Sequence, residues 1–313
     1  MTLTAFVSHS DCSRHDTGWK HPEHQGRLPG LARAVYRDML ILHDCLLEVE
    51  ARPATEEDLL LVHTPRLVRE VRDAVARAER AGEPVPLSQQ TVVSGASWDA
   101  ALASAGTALT GAEAVLSGRV RNAFCAARPP GRGALPDAVG GYALFNNVAI
   151  TARHLRQRHG VGRVLIVEWG GTVPPALNEI FAGDAAIGIV SVQQATGAPG
   201  ALSAGAHVVT LPAGSGGDLY ISAFEAVMAD ALRAGAPDFI LISAGFDALS
   251  TDPVGELALD PPDFYHLTRH VVEQAELWCG GRVVSVLEGG YDPAGLGKSV
   301  VQHLRALAEL PSH

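Results

Sequence analysis

The sequence predicts an α/β fold in which one open, mainly parallel sheet is flanked by helices on both faces. Three observations lead to this prediction. Short β-branched runs alternate with longer Ala/Leu-rich amphipathic stretches along the chain. Runs such as VLIV (164–167) and FILIS (239–243) are apolar throughout, as is typical of parallel strands buried on both faces. Strands separated by helices need crossover connections, which place the helices on the two faces of the sheet.

Six strands are predicted where β-branched and other apolar residues form short runs. In chain order, the predicted strands are Thr4–Ser8, Asn122–Cys125, Val164–Glu168, Ala186–Val192, Phe239–Ser243 and Arg282–Leu287.

Eight helices are predicted where apolar residues recur at helical spacing in longer segments. In chain order, the predicted helices are Arg27–Asp44, Thr55–Leu59, Pro65–Ala81, Ser97–Leu116, Asn146–Arg158, Leu219–Arg233, Pro262–Trp278 and Gly295–Leu310. The segment Ala195–Gly217 is rich in Gly, Ala and Ser, and we expect it to form a long surface loop.

The composition places the chain among globular proteins. Of its 313 residues, 47% are hydrophobic and 19% are charged, which excludes a disordered or fibrous chain. The length allows two domains of about 150 residues each. Because no linker, repeat or low-complexity tract divides the chain, we expect one domain over residues 1–313.

Charge and cysteine usage restrict the partners and the location. The formal net charge is -10, which argues against binding nucleic acid through a basic face. No run approaches the ~20 apolar residues of a membrane-spanning helix, and the first residues lack the pattern of a secretory signal. The four cysteines are widely spaced, with no CxxC pair. They predict reduced thiols in a cytoplasmic protein.

The segments that follow the predicted strands are the expected place for a functional site. In open parallel sheets, ligands bind outside the carboxyl ends of the strands. The segments concerned are Gly-rich and carry few polar residues: AARPPGRGA (126–134), EWGGTVPPA (168–176), AGFDALSTDP (244–253) and LEGGYD (287–292).

Ordered motifs along nearly the whole chain carry a resemblance. They are HDTGWKHPE (15–23), Arg27, SWDAALASAGTAL (97–109), RPPG (128–131), GYALFNNVAI (141–150), VLIVEW (164–169), SAGFDA (243–248), DPVGELAL (252–259) and LEGGYD (287–292). Through them the chain resembles the histone deacetylase and acetylpolyamine amidohydrolase family. The resemblance implies the arginase/deacetylase architecture, with an eight-stranded sheet.

The resemblance also implies a site built from a zinc ion, a histidine pair and a tyrosine. Where the family has its histidine pair, directly after RPPG, this chain has Arg132 and Gly133. Where the family has Asp-x-Asp-x-His, it has Glu168, Gly170 and Thr172. The second Asp and the His of that motif are zinc ligands, so both of these ligands are replaced here.

Two residues of the family site are retained. Asp247, in AGFDA, matches the third zinc ligand, and Tyr291, in EGGYD, matches the tyrosine that polarises the amide carbonyl. Catalytic zinc is normally held by three protein ligands with a fourth position open to water. With one of three ligands left, we expect no zinc cofactor and a divergent family member.

The expected consequence is loss of family-type amide hydrolysis. Without zinc, the pKa of the attacking water returns from about 7 to about 15.7. At about 1.36 kcal/mol per unit, this change removes on the order of 12 kcal/mol of activation. Losing a general base costs a further ~10²–10⁴ in rate. Arg132 cannot act as that base, because a guanidinium stays protonated at any working pH.

Charge balance suggests a new role for Arg132. A lone buried carboxylate is costly, whereas a paired one is tolerated. We therefore hypothesise that Arg132 reaches Asp247 or Glu168 and occupies the former metal region as a structural cation.

The remaining candidate site residues each allow two interpretations. Tyr291 follows Gly289 and Gly290, which suit a tight turn. Such a turn directs the Tyr291 phenol into a cleft, or else the Tyr291 ring only packs against the loop. Tyr142 matches the family's tunnel aromatic and is expected to line a pocket. Glu168 acts as a general acid or base with a pKa raised by burial, or keeps the structural hydrogen bonds of the Asp it replaces.

Histidines elsewhere are considered as ligands of a relocated metal. His266 and His270 have HxxxH spacing on a predicted helix, but their motif lacks the Glu of HExxH, so a solvated helix face is expected. His15, His21 and His24 lie in the segment that is expected to shape the pocket rim.

Three function hypotheses follow. The first is a pseudo-deacetylase that binds a small-molecule ligand or a protein partner, but no nucleic acid or membrane, in a vestigial pocket. The second is a repurposed metal-independent enzyme of small-molecule metabolism that uses Tyr291, Asp247, Glu168 or Arg132 on an acyl or amide substrate. The third is a zinc amidohydrolase with relocated ligands.

Overall fold

Eight parallel strands form the central sheet of the computed structural model, which describes residues 3–171, 176–195 and 202–312. The strands are β1 (Thr4–Ser8), β2 (Leu46–Glu50), β5 (Asn122–Cys125), β6 (Val164–Trp169), β7 (Ile187–Gln194), β8 (Ala206–Leu211), β9 (Phe239–Ala244) and β10 (Val283–Leu287). Their order is β2-β1-β5-β10-β9-β6-β7-β8. A separate antiparallel pair is formed by β3 (Val85–Pro86) and β4 (Val92–Val93).

Helices cover both faces of the sheet. They are α1 (Arg27–Arg37), α2 (Met39–Leu42), α3 (Glu56–Leu59), α4 (Pro65–Ala81), α5 (Ser97–Leu116), α6 (Asn147–His159), α7 (Ala176–Ile180), α8 (Gly217–Ala234), α9 (Pro261–Cys279) and α10 (Pro293–Leu307). Helices α1, α8, α9 and α10 bury one face, and α5 and α6 bury the other. Along β6, Val167 and Trp169 pack on the first face and Ile166 on the second, as the alternation of side chains along a strand requires.

Local sequence signals explain the helix bounds. Helix α4 begins where the Thr64 hydroxyl accepts a hydrogen bond from the backbone N–H of Leu67 at 3.2 Å, and Pro65 stands at its first turn. It ends at Gly82, whose φ of 70° is in the left-handed region that favours glycine. Of the helices in the described ranges, none is both long and apolar enough to cross a bilayer.

Small residues let α5 lie close to its neighbours. A Cβ at Gly106 would overlap the carbonyl oxygen of Arg52, and a Cβ at Gly111 would lie 2.7 Å from the Cys125 sulfur in β5. Real Cβ atoms essentially never approach this closely. The Ala- and Gly-rich sequence of α5 therefore sets its distance from the sheet.

The predicted fold class is confirmed, and the six predicted strands are present with small differences at their ends. The prediction of a loop over Ala195–Gly217 is wrong for residues 206–211. Residues Ala206–Leu211 form edge strand β8, paired with β7 from Ile189↔Ala206 to Gln194↔Leu211. Residues 196–201 of that predicted loop lie outside the described residues. Strand β2 was also missed, because it is a half-buried edge strand without a continuous apolar run.

The predicted helix Arg27–Asp44 is too long. Helix α1 ends at Arg37, and the backbone N–H of Asp38 closes its last turn on the carbonyl oxygens of Ala34 and Val35. The chain then turns into α2, which leaves Leu40 94% exposed and buries Leu42. The break redirects the chain into β2.

Candidate functional site

Four loops at the carboxyl edge of the sheet build the candidate site. Arg132 follows β5, Gly170 follows β6, Asp247 follows β9 and Tyr291 follows β10. These strands are neighbours in the sheet, so their carboxyl ends bring the four segments together. All four residues are buried.

An ion pair between Arg132 and Asp247 lies at the centre of this site. The guanidinium Nη2 of Arg132 donates to Oδ2 of Asp247, and Nη1 donates to the carbonyl oxygen of Trp169 at 3.4 Å. Arg132 is 6% exposed and Asp247 is 1% exposed. The hypothesised contact between Arg132 and a carboxylate of the site is thus confirmed.

Three glycines make room for the guanidinium. A Cβ at Gly170 or Gly245 would overlap Nη1 of Arg132, and a Cβ at Gly289 would lie 2.6 Å from Oδ1 of Asp247. We call Gly170, Gly245 and Gly289 the glycine cradle. The Arg132 side chain therefore lies where a side chain at residue 170 would otherwise project.

Glu168 lies at the end of β6 and is almost fully buried. The hydroxyls of Ser191 and Ser243 each lie 3.4 Å from one of its carboxylate oxygens and donate weak hydrogen bonds. Burial raises the pKa of Glu168 to about 8, although the Arg132 guanidinium opposes this shift. Glu168 is therefore protonated at neutral pH and can donate a proton or a hydrogen bond.

Glu288 is a site residue that the sequence analysis did not single out. One of its carboxylate oxygens, Oε2, accepts hydrogen bonds from the backbone N–H groups of Gly131 at 2.7 Å and Arg132 at 2.9 Å. Burial raises its pKa to about 7, against the effect of these two hydrogen bonds. The sequence places Glu288 at the start of the EGGYD motif, directly before two glycines. The sequence does not indicate that this carboxylate is buried.

Two tyrosines face each other beside the ion pair. The rings of Tyr142 and Tyr291 meet edge to face, with centroids 5.4 Å apart. The backbone N–H of Tyr291 donates to Asp252 at 2.6 Å, and the Arg27 guanidinium lies 5.0 Å from the Tyr291 ring centre. Burial raises the pKa of the Tyr291 phenol well above its usual value of 10. Tyr142, half-buried, has a φ of 70°, which is uncommon for a residue with a side chain.

The other predicted pocket residues shape the backbone. Gly133 packs against the backbone of Gly140, where a Cβ would overlap the Gly140 carbonyl oxygen. The carbonyl oxygen of Gly290 accepts a hydrogen bond from Nε of Arg27 at 2.6 Å. Thr172 lies outside the described residues.

A second buried charge network supports the site and was not predicted. The Glu23 carboxylate accepts hydrogen bonds from Arg27 at 3.0 Å and from Nε of Arg128 at 2.8 Å. Burial alone would raise the pKa of Glu23, but the two guanidinium groups lower it below its usual value. Arg27 also donates to the carbonyl oxygen of Glu288, so this network fixes the loop that carries the tyrosine.

Among the described residues, the histidines considered as relocated ligands do not form a group of three metal-binding side chains. His15 is buried against Ser97, with 2.7 Å between Nδ1 and the hydroxyl oxygen, and burial lowers its pKa to about 4. The ring of His21 contacts Tyr142 at 4.8 Å between centroids, in keeping with a place at the pocket rim. His266 is exposed, and Nδ1 of His270 lies 3.8 Å from a carboxylate oxygen of Glu225.

A different group brings metal-binding atoms together. One ligand atom from each of Glu113, His154 and His159 lies within 4.8 Å of the others. Helices α5 and α6 carry these residues near their carboxyl ends, which lead into the first residues of β5 and β6. The group therefore lies at the amino edge of the sheet, opposite the Arg132 site.

A cavity of about 580 Å³ lies between α1 and strands β1 and β2. Its lining includes Phe6, Leu28, Val35, Tyr36 and Met39. The residues of the Arg132 site do not contribute to this lining.

Fold and site together define a class: an α/β protein whose site lies at the carboxyl edge of an eight-stranded parallel sheet. Comparison with known proteins identifies the family. The histone deacetylase domain model matches residues 21–307. The chain belongs to the histone deacetylase family.

Relatives with known names support this assignment. The chain is 31% identical to the human polyamine deacetylase HDAC10 over 331 residues, covering 99% of this chain and 48% of that protein. It is also 31% identical to a probable deacetylase of Archaeoglobus fulgidus, covering 94% of this chain and 82% of that protein. Among solved structures, the HD domain of HDA15 matches with a TM-score of 0.88 and 28% identity, covering 100% of this chain and 90% of that one. The chain spans about half the length of the human relative.

Proposed function

We propose that this protein is a pseudo-deacetylase, a member of the deacetylase family without the family's catalytic zinc, that binds a small ligand or a protein partner at the Arg132 site and does not hydrolyse amides by the family's zinc chemistry. One observation carries the proposal. The Arg132 guanidinium is ion-paired with Asp247 and fills the glycine cradle, where the resemblance places the metal.

The donor set at this position does not fit zinc. Zinc is bound by thiolates, imidazoles and carboxylates at about 2.0–2.3 Å. Of the family's ligand positions in the described chain, Asp247 offers a carboxylate that is already paired with a guanidinium, and Gly170 offers no side-chain atom. A cation that approaches Asp247 must displace the permanently charged Arg132.

The chemistry of the site favours a ligand that is uncharged at its inner end. Asp247 neutralises Arg132, and Glu168 is protonated at neutral pH. The Tyr142 and Tyr291 rings supply an aromatic wall next to the pair. An acyl or amide group, which can accept hydrogen bonds from Arg132 or Glu168, fits these features.

The first alternative is a metal-independent enzyme acting on an acyl or amide substrate. Two neighbouring carboxyl groups favour it, since burial raises the pKa of Glu168 to about 8 and of Glu288 to about 7. Groups that titrate near the working pH are suited to general acid or base catalysis. A rate that Tyr291→Phe leaves unchanged would contradict this alternative.

The second alternative is a zinc amidohydrolase with relocated ligands. The Glu113, His154 and His159 group supports it, because these three side chains can hold a metal ion. Their place at the amino edge of the sheet separates them from Tyr291, so hydrolysis there would need a different substrate pocket.

An amidase assay tests the main proposal. Acetyl-lysine peptides and acetylated polyamines are incubated with the protein in excess zinc, with and without a chelator. We expect no chelator-sensitive release of acetate from the wild type. Chelator-sensitive turnover that persists in His159→Gln and disappears in Asp247→Asn, while circular dichroism shows that both variants are folded, would overturn the proposal, because it would place a catalytic metal at the Arg132 site.

Partners and location follow from composition. The net charge of -10 supports a small molecule or a protein partner over nucleic acid. The four free cysteines, three of them buried, support a reducing cytoplasmic location.

A further inference from the structure

Three side chains meet where two helices end at the amino edge of the sheet. Glu113 lies in the last turn of α5, and His154 and His159 lie on α6, which ends at His159. Nε2 of His154 lies 3.3 Å from Oε1 of Glu113 and 3.1 Å from Nε2 of His159. His154 is therefore the centre of the group, with its Nε2 facing both other ligand atoms.

These distances match the edges of a metal coordination polyhedron. Around tetrahedral zinc, with ligands at about 2.0–2.1 Å, neighbouring ligand atoms are about 3.3 Å apart. The two measured separations agree with this edge length within a few tenths of an ångström. Two of the three ligand-to-ligand separations therefore already suit a bound ion, and the third is within 4.8 Å.

The state of His154 suits a ligand. His154 is 2% exposed. Its Nδ1 finds no hydrogen-bond partner among the described residues, and Oδ1 of Asp58 lies 3.9 Å away. If the proton moves from Nε2 to Nδ1, Nε2 presents its lone pair, and a small approach of the Asp58 carboxylate to Nδ1 would complete a hydrogen bond. A carboxylate behind an imidazole is the usual support of a metal-binding histidine.

The helix ends add a favourable field for a cation. The carboxyl end of a helix carries a partial negative charge from its unpaired carbonyl groups. Both α5 and α6 end next to the group. His159 is exposed and Glu113 is partly exposed, so an ion can reach the group from solvent.

We propose that Glu113, His154 and His159 form a divalent metal site, best suited to zinc, that clips the carboxyl ends of α5 and α6 together. Two imidazoles and one carboxylate are a zinc ligand set, and the fourth position is left to water. The site is independent of the Arg132 ion pair, from which the length of the strands separates it.

Arg52 competes with the metal for Glu113. Its Nη2 contacts Oε1 of Glu113 at 2.5 Å, the same oxygen that faces His154. Arg52 and Arg158 also balance the charges of Glu113 and Asp58 before a metal enters. Metal binding through this oxygen must therefore displace the Arg52 contact.

Calorimetric titration of zinc into the chelator-treated full chain tests the site. We expect about one zinc per chain, and affinity at least about tenfold weaker in His159→Gln, since even supporting residues of metal sites contribute about that much. His266→Gln is the matched control, because His266 is also an exposed helical histidine and lies outside the group. Absence of zinc binding in the wild type, or equal affinity in His159→Gln, would overturn the proposal.

A variant that is expected to bind zinc more tightly, and not more weakly, adds a second test. Arg52→Gln removes the cation that holds Glu113, so we expect zinc to bind several-fold more tightly than in the wild type. Thermal unfolding should show a zinc-dependent increase in Tm in the wild type and in His266→Gln, but a smaller one in His159→Gln. If zinc binds Arg52→Gln no more tightly than the wild type, Glu113 is not a ligand and the three-residue site is wrong.

Discussion

At the residue scale, the Arg132–Asp247 pair shows how a buried carboxylate is tolerated when a guanidinium lies beside it. Asp247 is 1% exposed, and an isolated carboxylate there would be protonated or strongly destabilising. The guanidinium supplies the positive charge that the resemblance assigns to zinc. Replacing both members of such a pair by apolar residues changes the stability little. Removing one member alone lowers the stability strongly, because the other charge stays buried without a partner.

Asp247→Asn is expected to lower the free energy of unfolding by about 3–5 kcal/mol, because it leaves the Arg132 guanidinium buried without its counter-charge. Urea denaturation measures this change. Asp230→Asn is the matched control, since Asp230 forms an exposed pair with Arg233. This substitution should lower the free energy of unfolding by less than about 1 kcal/mol. Equal effects of the two substitutions would show that the buried pair does not hold the site together.

The raised pKa of Glu168 gives a pH-dependent stability of known sign. The unfolded chain releases this proton near the usual pKa of 4.5, whereas the folded chain holds it until about pH 8. In this interval the folded state binds more protons than the unfolded state. The free energy of unfolding therefore falls as the pH rises from 4.5 to about 8.

Glu168→Gln mimics the protonated group and should flatten that decline. Urea denaturation from pH 5 to pH 9 measures it, and we expect the variant to gain stability relative to the wild type as the pH increases. Glu288, with a pKa raised by burial to about 7, contributes a decline of the same sign in both proteins. Parallel pH profiles for the two proteins would show that Glu168 ionises normally.

At the element scale, α5 is positioned by residues that lack side-chain bulk. Helix propensity alone would favour Ala over Gly at position 106 by about 1 kcal/mol. The Arg52 carbonyl oxygen occupies the space that a Cβ would take, so the contact outweighs the propensity. The Gly-rich sequence of this helix is therefore explained by packing.

Gly106→Ala should destabilise the protein by about 1–3 kcal/mol through overpacking, despite the better helix propensity of Ala. Gly216→Ala is the control, since a Cβ there would lie 3.8 Å from the Ala258 carbonyl oxygen, in ordinary contact. Thermal and urea unfolding of both variants decide the matter. A stabilised Gly106→Ala would mean that α5 can shift away from residue 52 without loss.

The elements that the sequence predicted correctly are those with a strong local pattern. Strand β9 is apolar at every position, and α4 carries its cap, proline and terminal glycine in the sequence. Edge strand β8 was missed because its pairing with β7, and not its own half-exposed sequence, makes it a strand. The end of helix α1 at Asp38 depends on where strand β2 begins. That position is set by the tertiary structure and not by the local sequence.

The site was predictable where charge and resemblance acted together. The charges implied that Arg132 pairs with Asp247 or Glu168, and the structure contains the pair with Asp247. Glu288 and the Glu23 network were missed, because their importance comes from burial and from contacts between distant segments. The Glu113, His154 and His159 group was missed for the same reason: its residues are brought together by two helices that pack side by side.

At the scale of the whole molecule, stability is expected to decrease from the centre of the sheet to its edges. Strands β9 and β10 are buried along their entire length, whereas β8 is half-exposed. The described chain pairs β8 on one side, with β7. Edge elements with less buried apolar surface open more readily than central ones.

Native-state hydrogen exchange should show this gradient. We expect the backbone amides of Ile240–Ile242 in β9 to exchange only through global unfolding, and those of Val208–Thr210 in β8 to exchange through local opening at lower free energy. Exchange measured at increasing urea concentrations separates the two routes. Similar protection in the two strands would mean that the sheet unfolds as one cooperative unit up to its edge.

The glycine cradle makes the effect of a substitution at residue 170 depend on the residue at position 132. Gly170→Asp alone would restore a family zinc ligand, but its Cβ would collide with the Arg132 guanidinium. Arg132→His alone would restore part of the histidine pair, but it would leave Asp247 without its cation. Each single step back toward a zinc site is thus destabilising in the background of the other residue. A change of this chain toward the zinc site that the resemblance implies must therefore alter both positions together.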